Sequence, residues 1–417
     1  MSDRKTVAVI GAGIIGVQIA RALQVAGRKV TIFDPLDPGM ATSFGNAGYL
    51  AFDEIFPLAH GTVLRRLPSM LLNPLGPLAM RWQEFPRLLP WYLQYARACS
   101  ATRSQRNIVA LASIQSLAIA AWQRIVKRDG LQKLIIGNGA VTVFESDAGF
   151  ERTRTQRQIQ RRYGIAWQAY TGAEARHRIP ELAGSVRHMV LFPDGHHVLN
   201  PHSVTNTIFN KFIGDGGEFK KQGVNALLND AQNALSLRVD DEVSYFDQTV
   251  VCSGYKSGRL LKPLGLKVPI VAERGYHVEM SHRETRLAMP VGSHERGFYV
   301  TPMSSGLRLA GTTEFSSADD DAPPTWARAD ILKRHVSEFM PGLAEAETGR
   351  WMGHRPTLPD FLPVLSKTSH SPSLYLAFGH HHLGLTQSAV TAEVITSLMS
   401  GEDNDLDITP FSISRFQ

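Results

Sequence analysis

The chain has 417 residues, of which 43% are hydrophobic and 20% are charged, as is typical of a globular protein with two or three domains. Its net charge of +6 is mildly basic and no nucleic-acid-binding motif accompanies it, so we expect no nucleic-acid partner. Cys99 and Cys252 have no paired spacing, which argues against disulfides, a cysteine-ligated metal and an iron–sulfur cluster. No signal-peptide pattern is found, and we expect a cytoplasmic protein.

The first forty residues predict a dinucleotide-binding unit. A β-rich run at residues 5–10 ends in the pattern Gly-Ala-Gly-Ile-Ile-Gly at residues 11–16, and an amphipathic helix follows. A second buried strand is predicted at residues 29–33, with Asp34 at its end, close to the usual interval of about 20 residues after the first glycine.

The small residues of this unit each have a physical role. Gly11 permits the tight turn, Gly13 lets a pyrophosphate approach the backbone, and Gly16 lets the helix pack closely on the sheet. The free N–H groups at the start of the helix face the phosphates, and Asp34 can accept hydrogen bonds from the ribose hydroxyls. The predicted cofactor contacts here are Gly11, Gly13, Ile14, Ile15, Gly16 and Asp34.

Two segments follow: a loop that could wrap a flat ligand, and a segment of unusual composition. Residues 41–49 (Ala-Thr-Ser-Phe-Gly-Asn-Ala-Gly-Tyr) are rich in small and hydrogen-bonding side chains, so their backbone could wrap a flat ligand beyond its ribose. Residues 54–95 are mainly apolar, are interrupted by prolines and contain several arginines. Two interpretations stay open: an irregular lid over an active site, or a peripheral patch at a membrane interface.

The rest of the chain alternates between helical and strand patterns. Helices are predicted at residues 107–127, 152–162, 200–213, 329–339 and 386–399, and strands at residues 134–145, 190–192, 218–228, 235–239, 248–252 and 374–378. The strand at 248–252 ends in Ser253 and Gly254, where a doubly wound sheet would touch the dinucleotide again. A block of strands at 268–280, 297–302 and 307–312 predicts a separate antiparallel sheet.

Several motifs in a fixed order carry a family resemblance. They are the nucleotide-binding start, the loop at residues 41–48, Val-Val-Cys-Ser-Gly at 250–254, Trp-Met-Gly-His-Arg-Pro at 351–356, Pro-Asp at 359–360 and Gly-His-His-His-Leu-Gly-Leu-Thr at 379–386. Together they resemble the D-amino acid oxidase family of flavoproteins. Within it they are most similar to bacterial FAD-dependent D-amino acid dehydrogenases, including those acting on D-proline and D-hydroxyproline.

The resemblance implies the fold and the division into domains. It implies an α/β fold, with a Rossmann-type FAD-binding domain and a second α+β substrate domain built on an antiparallel sheet. The expected FAD-binding domain comprises residues 1–50, 101–130, 190–260 and 346–417. The expected substrate or lid domain comprises residues 51–100, 131–189 and 261–345.

The resemblance also implies further cofactor contacts. The loop after the second strand would lie along the pyrophosphate and flavin, Val224 would pair its backbone with adenine, and the turn at 379–386 would close over the pyrimidine end of the ring. FAD is expected to be noncovalent, because the cysteine used by the family's covalent branch is not evident. The contacts implied are Thr42, Ser43, Asn46, Ala47, Gly48, Val224, Gly254, Gly379, His380, His381, Gly384, Leu385 and Thr386.

The turn with three histidines departs from the family pattern. Relatives usually show Gly-His-Gly-His, and this chain has His381 in place of the second glycine. A side chain there would narrow the pocket or tilt the flavin ring. Adjacent histidines point in different directions and lack the spacing of a zinc-binding helix, so we expect no metal site.

Arg355 is the first candidate for binding a substrate carboxylate, since it matches the family's Arg-Pro position and a guanidinium can make two charge-assisted hydrogen bonds. The alternative is an ion pair between Arg355 and Asp360. Arg274 and Tyr276 are the second candidates.

Tyr299 follows as a candidate beside the carboxylate or amine. His354 and His382 are candidates for helping to deprotonate the substrate's ammonium group, with purely structural roles as the alternative.

The resemblance predicts oxidative deamination of a small D-amino acid by hydride transfer to the flavin, with electrons passed to a quinone or other carrier. The alternatives are a glycine- or sarcosine-type amine oxidase that uses oxygen, and a flavin-bearing subunit of a hetero-oligomeric dehydrogenase. A peripheral contact with the inner membrane stays open beside the cytoplasmic location.

Overall fold

The structure is a computed structural model that describes residues 5–61, 76, 78–229, 235–281, 287–319, 321–343 and 346–417. Its strands are β1 (Thr6–Ile10), β2 (Lys29–Phe33), β3 (Tyr49–Leu50), β4 (Leu78–Met80), β5 (Ile135–Ile136), β6 (Ala140–Phe144), β7 (Gln168–Thr171), β8 (His188–Phe192), β9 (His196–Val198), β10 (Glu218–Lys220), β11 (Val224–Asn229), β12 (Leu235–Val239), β13 (Glu242–Tyr245), β14 (Gln248–Val251), β15 (Val271–Met280), β16 (Val291–Ser293), β17 (Phe298–Met303), β18 (Gly306–Ser316), β19 (Glu347–Thr357), β20 (Val364–Lys367) and β21 (Leu374–Phe378).

The α-helices are α1 (Ile14–Val25), α2 (Phe85–Ala98), α3 (Ala101–Asp129), α4 (Asp147–Arg152), α5 (Arg154–Arg162), α6 (Gly172–Arg178), α7 (Pro201–Gly214), α8 (Ser257–Leu261), α9 (Ala327–Phe339) and α10 (Gly384–Ser400).

One half of the molecule is a doubly wound, mostly parallel sheet with the strand order β10-β2-β1-β14-β21-β20. Only the β20–β21 pair in it is antiparallel. The strand β1 lies near the centre, and its run of Val, Ala, Val and Ile is buried, as expected of a strand covered on both faces. Helix α1 packs against α10 and α7, so the first helix and the last helix share one core. The predicted Rossmann elements are confirmed within one or two residues.

The other half is a larger mixed sheet with the order β19-β15-β18-β17-β16-β6-β8-β7. Its long strands β15, β18 and β19 are antiparallel neighbours, which confirms the predicted antiparallel block. Helix α9 covers one face, where Leu332, Val336 and Phe339 join a core with Val278 and Phe298. The opposite face of β15 and β19 is left for the site described below.

Two strands near the predicted domain boundaries lie in the second sheet. Strand β19 (Glu347–Thr357) pairs with β15 along its whole length. Strand β8 pairs with β6 and β7. Strand membership is decided by partners far away in the chain, which local patterns do not identify, and the division into domains stays a prediction.

Several predicted elements are corrected. The segment predicted to be irregular contains the helix α2, while residues 62–75 and 77 lie outside the described residues. The predicted strand at 134–145 is two strands in different sheets, β5 paired with β9 and β6 paired with β8. The predicted strand at 218–228 is also two strands, and the basic helix at 152–162 is preceded by a separate short helix, α4.

Helix α3 is a core helix of the first domain, the half of the molecule that contains the parallel sheet. By length and composition it could cross a membrane, the one such helix among the described residues. Its apolar residues Leu111, Ile114 and Ala118 are buried in the same cluster as α1 and α10. Trp122 Nε1 also donates a 2.8 Å hydrogen bond to the carbonyl of Thr386 at the start of α10.

Candidate active site

The glycine turn after β1 accepts no side chain at two positions. Gly11 has φ +117°, and a Cβ there would lie 2.5 Å from the carbonyl oxygen of Cys252. A Cβ on Gly16 would lie 1.9 Å from the carbonyl oxygen of Gly11. The turn and the first helix are therefore held against each other by backbone alone, as a close approach of a pyrophosphate requires.

The start of α1 faces the loop after β2. Its N-cap, Gly13, provides no side-chain hydrogen bond, and a Cβ on Gly13 would lie 3.2 Å from Ser43 Oγ. Ser43 Oγ accepts a 3.0 Å hydrogen bond from the Ile14 N–H. An uncapped helix N-terminus beside a hydroxyl fits the binding of an anionic phosphate. Ile15 follows in the same first turn.

Asp34 is fixed at the end of β2. Its two carboxylate oxygens accept hydrogen bonds from the N–H groups of Ala12, at 2.7 Å, and Leu36, at 2.9 Å. Burial raises the pKa of Asp34, while these two hydrogen bonds and Lys256 act in the opposite direction. A carboxylate oxygen can accept a second hydrogen bond, so the group still fits a ribose.

The two more distant predicted contacts follow strands at the same edge. Val224 begins β11, and the preceding Gly223 lies near Pro35, with a Cβ position 3.8 Å from that ring. Gly254 has φ +60° and follows β14, whose neighbour in the sheet is β1. The structure thus brings Val224 and Gly254 toward the glycine turn and Asp34, as a dinucleotide site needs.

The loop at residues 41–48 is tied to the second sheet. Thr42 Oγ1 donates a 2.7 Å hydrogen bond to the carbonyl of His354. Arg308 donates to the carbonyl of Asn46 at 2.7 Å, and the His277 ring contacts the carbonyl of Gly45 at 3.1 Å. These bonds hold the loop, with Ala47 and Gly48 at its end, across the gap between the two domains.

Trp351 closes one side of that loop. A Cβ on Gly45 would lie 2.0 Å from the indole, and a Cβ on Gly353 would lie 1.8 Å from it. The indole also stacks on the His277 ring, with ring centroids 5.3 Å apart. Both glycines are therefore needed to admit the indole. The sequence pattern did not single out Trp351 as a site residue.

The three histidines have different environments. His380 is buried and its Nε2 contacts Thr391 Oγ1 at 3.0 Å, which gives it a structural role. His381 has φ +39°, the left-handed conformation that favours glycine, and its Nε2 lies 2.8 Å from the carbonyl of Phe361. His381 Nδ1 lies 3.0 Å from His382 Nδ1.

These contacts determine the tautomers. A carbonyl only accepts, so the proton of neutral His381 is on Nε2, and its Nδ1 accepts from His382 Nδ1–H. The Nε2 atom of His382 then carries a lone pair and has no hydrogen-bond partner among the described residues. Burial, with Arg355 adding to it, lowers the pKa of His382 to about 3, so the ring stays neutral.

The turn then passes into α10. Gly379 has φ +83°, and a Cβ there would lie 2.4 Å from Leu358. Helix α10 begins at Gly384, and the buried Leu385 joins the core of the first domain. Thr386 Oγ1 accepts a 3.0 Å hydrogen bond from the Ala51 N–H, which links the helix to the segment after the loop at residues 41–48.

A cavity of about 220 Å³ lies where the loop, the second sheet and the histidine turn meet. It brings together most of the residues that the sequence predicted for the flavin ring and the substrate. Those lining it are Thr42, Asn46, Ala47, Tyr276, Tyr299, Arg355, His381 and His382, and the lining also includes Tyr49, Glu54, Glu273, Thr313, Trp351 and Gly353.

Arg355 is held by Glu273 and not by Asp360. Arg355 Nη1 donates to Glu273 Oε1 at 2.8 Å, and its guanidinium lies across Gly275, where a Cβ would be 2.4 Å from Cζ. Thr313 and Thr357 also donate to the Glu273 carboxylate. Asp360 instead pairs with Arg415 at 2.8 Å, away from the cavity. The Nε and Nη2 donors of Arg355 have no partner among the described residues.

Arg274 does not reach the cavity. It lies on the opposite face of β15 and is fully buried, donating to the carbonyls of Ala322 at 2.8 Å and Pro323 at 3.2 Å. Tyr276 points to the same face, where its hydroxyl donates to Glu314 at 2.7 Å. Successive strand residues alternate between faces, so the segment that supplies Glu273 and Gly275 to the cavity turns Arg274 and the Tyr276 hydroxyl away.

Sequence reasoning missed one tyrosine and two acids after the loop at residues 41–48, namely Tyr49, Asp53 and Glu54. Tyr49 stacks near Tyr299 with ring centroids 5.3 Å apart, and its hydroxyl donates to Asp53. Burial raises the pKa of Asp53 to about 6 and that of Glu54 to about 8. The adjacent acids at 53–54, inside an apolar segment, were the available signal.

A model of the DAO family, described as FAD dependent oxidoreductases, matches residues 6–398 of the chain. The chain belongs to this family. The observed glycine turn, helix N-terminus and Asp34 carboxylate fit FAD, and the predicted FAD dependence is confirmed. Cys99 and Cys252 of this FAD-dependent oxidoreductase are both buried and neither lines the cavity.

Named relatives of this oxidoreductase act on amino acids. A D-amino-acid oxidase of Bradyrhizobium diazoefficiens is 30% identical, with 100% of both chains covered. A D-amino acid dehydrogenase of Paramagnetospirillum magneticum is 27% identical, with 98% of both chains covered. Among solved structures, glycine oxidase from Geobacillus kaustophilus aligns with a TM-score of 0.76 at 20% identity, covering 99% of both chains, and this likeness shows the fold alone.

Proposed function

We propose that this oxidoreductase deaminates a small D-amino acid, with D-proline and D-hydroxyproline among the candidates, and passes the electrons to a quinone or other carrier. The proposal rests on Arg355. Two N–H donors of its guanidinium, Nε and Nη2, have no partner among the described residues, and the side chain lines a cavity bordered by the loop at residues 41–48. The names of the relatives, D-amino acid dehydrogenase and D-amino-acid oxidase, support it.

Arg355 would grip the substrate's α-carboxylate. Its ion pair with Glu273 occupies only Nη1 and fixes the plane of the guanidinium, which leaves Nε and Nη2 for a carboxylate. Since Thr313 and Thr357 hold the Glu273 carboxylate in place, the Arg355 guanidinium is positioned before the substrate binds. Fixing the carboxylate also fixes the direction of the Cα–H bond, and such orientation contributes much of the rate in reactions of this kind.

The residues that would hold FAD are the glycine turn with Asp34, the loop at 41–48 and the turn at 379–386. Bound FAD would supply the acceptor for the hydride that leaves the substrate Cα. Tyr49 and Tyr299 stay protonated, because burial raises the pKa of both, so each presents a neutral hydroxyl or ring to the substrate. Trp351 and His381 line the cavity and narrow it.

An oxygen-free screen tests the proposal. The purified holoenzyme is mixed with single amino acids as separate enantiomers, with glycine and with sarcosine, and the flavin absorbance near 450 nm is followed. Bleaching by D-amino acids but not by their L-forms is expected. Bleaching by L-forms alone, or by none of these compounds, would refute the proposed substrate class.

An oxidase that uses oxygen directly is the second candidate. The name of the 30% identical relative, D-amino-acid oxidase, favours it. The reduced enzyme from the screen is mixed with air-saturated buffer or with a soluble quinone. A dehydrogenase is reoxidised quickly by the quinone and slowly by air, whereas rapid reoxidation by air identifies an oxidase.

The proposal includes a cytoplasmic location with a peripheral contact to the inner membrane. It is supported by Trp82, Leu89 and Leu93, which are exposed on α2 and the turn before it, and by the exposed Arg97 on the same helix. Flotation with vesicles of anionic and of zwitterionic lipid tests it. Binding to the anionic vesicles alone is expected, and absence of binding to both removes this part of the proposal.

A further inference from the structure

Glu54 is an acid that the cavity holds in a defined position. It lies on the segment after β3 and lines the same cavity as Arg355. Gln115 on α3 donates 2.9 Å hydrogen bonds to the carbonyls of both Ala51 and Glu54, which fixes the backbone of this segment. The Phe56 N–H donates to the Glu54 carboxylate and orients it.

The Glu54 carboxylate has no counter-ion in the part of the chain that the structure describes. No lysine, arginine or histidine among the described residues forms an ion pair with it. Its acidic neighbour is Asp53, which accepts from Tyr49 and lines a separate cavity. Burial and the charge of Asp53 raise the pKa of Glu54 to about 8, which is close to the value that suits a proton acceptor at neutral pH.

The other titratable groups facing this cavity do not suit that task. Glu273 is committed to Arg355 and two threonines. Burial lowers the pKa of His382 to about 3 and that of its neighbour His381 well below its usual value, so both rings stay neutral near neutral pH and are weak proton acceptors.

Tyr49 and Tyr299 are not proton acceptors either. Burial raises the pKa of both phenols, and the charges of Asp53 and Glu54 raise that of Tyr299 further, so both keep their protons. Glu54 is therefore the remaining acid or base on the cavity wall with a suitable affinity for a proton.

We propose that Glu54 is a catalytic residue that takes a proton from the ammonium group of the bound substrate. This inference rests on the proposed function, because it requires an amino acid whose carboxylate is held by Arg355. An N–H bond of the ammonium breaks and an O–H bond forms on the Glu54 carboxylate. The bonding electrons stay on nitrogen as the lone pair that assists departure of the hydride from Cα.

The role predicts a defect that depends on pH. Glu54→Gln keeps the size and polarity of the side chain and removes the proton acceptor. Flavin reduction by a D-amino acid in stopped flow is expected to slow about 100-fold at pH 7, within the usual range for loss of a general base. At pH 10 the dissolved amine is largely neutral, and the variant is expected to approach the wild-type rate. Glu54→Asp should keep the wild-type pH profile at a reduced rate.

A matched control and a neighbouring variant sharpen the test. Glu393→Gln, on the surface and paired with Arg124, is expected to leave the rate and the pH profile unchanged. Asp53→Asn removes a negative charge beside Glu54, so it should move the acid limb of the profile to lower pH. A wild-type rate for Glu54→Gln at pH 7, or an equal loss at every pH, would overturn the proposal.

Binding of propanoate gives a second readout without turnover. This carboxylate has no amine, so ionisation of Glu54 should weaken its binding as the pH rises through about 8. The weakening should be absent in Glu54→Gln, and its persistence there would count against Glu54 as the group that titrates in the cavity. If no amino acid reduces the wild-type flavin, the proposed function fails first, whereas reduction of the wild type with an unaffected Glu54→Gln refutes this inference alone.

Discussion

The cofactor edge and the substrate cavity are built in opposite ways. At the edge, the decisive contacts are between backbone atoms, as where Gly16 meets the carbonyl of Gly11. In the cavity, the decisive contacts are between side chains from separate strands, as where Arg355 meets Glu273, and Glu54 lines the same cavity. The glycine turn therefore has no room for a side chain at Gly11 or Gly16, while the functions of the substrate cavity can be altered one at a time.

The largest effect is expected at the cofactor edge. In Gly16→Ala the new methyl group would lie 1.9 Å from the Gly11 carbonyl, so the turn and α1 must separate. We expect loss of bound FAD, measured as the flavin absorbance of the purified protein. Gly214→Ala, where a Cβ meets nothing within 4 Å, is the matched control and should retain FAD. If the purified Gly16→Ala protein kept its flavin absorbance and the wild-type stability, the proposed contrast between the two regions would be wrong.

A medium effect on stability is expected in the cavity. Arg355→Met leaves the buried Glu273 without its cation, and we expect the free energy of unfolding to fall by about 2 kcal/mol, because Arg355 is itself partly exposed. The double variant Arg355→Met/Glu273→Gln should recover most of this loss. Chemical denaturation with FAD bound measures both. The exposed pair of Arg124 and Glu393 is the control, since Arg124→Met should change stability by less than about 0.5 kcal/mol.

The acids beside the cavity predict a pH dependence of stability. Burial raises the pKa of Asp53 to about 6 and that of Glu54 to about 8, so the folded protein holds protons that the unfolded chain has released. The free energy of unfolding should therefore fall as the pH rises from about 4 to about 8. Glu54→Gln should be about 1.5 kcal/mol more stable than the wild type at pH 8 and nearly equal to it at pH 4.5. Thermal unfolding at both pH values tests this, and a pH-independent difference would contradict it.

The smallest effect concerns the histidine turn. His381 has φ +39°, which only glycine adopts without strain. His381→Gly and His381→Ala both lose the hydrogen bonds of the imidazole, but only glycine relieves the strain. We expect the glycine variant to be more stable than the alanine variant by about 1 kcal/mol. Equal unfolding midpoints in denaturant would show that the turn relaxes around alanine.

The nucleotide-binding half was predictable because its signals are local. Gly11, Gly13, Gly16 and Asp34 lie in one short stretch, and the physical role of each follows from the turn, helix and strand that surround it. The long antiparallel strands were also predictable from alternation, and the family's motifs supplied the placement of Arg355.

The rest of the cavity depends on contacts that no local pattern encodes. The partner of Arg355 is Glu273, 82 residues away, while the nearby Asp360 turned out to pair with Arg415. The two faces of β15 could not be assigned either, because the sequence does not reveal which of its alternating side chains point toward the loop at residues 41–48. For that reason Arg274 was a candidate for the substrate contact.

The central claim is that Arg355 grips an amino acid's carboxylate beside the bound flavin. It is tested most directly by the dissociation constant of a D-amino acid in anaerobic flavin bleaching, compared between the wild type and Arg355→Met at equal FAD content. We predict binding about 100-fold weaker in the variant, as loss of a charge-assisted pair worth about 3 kcal/mol implies. An unchanged dissociation constant in a fully flavinated variant would contradict the account.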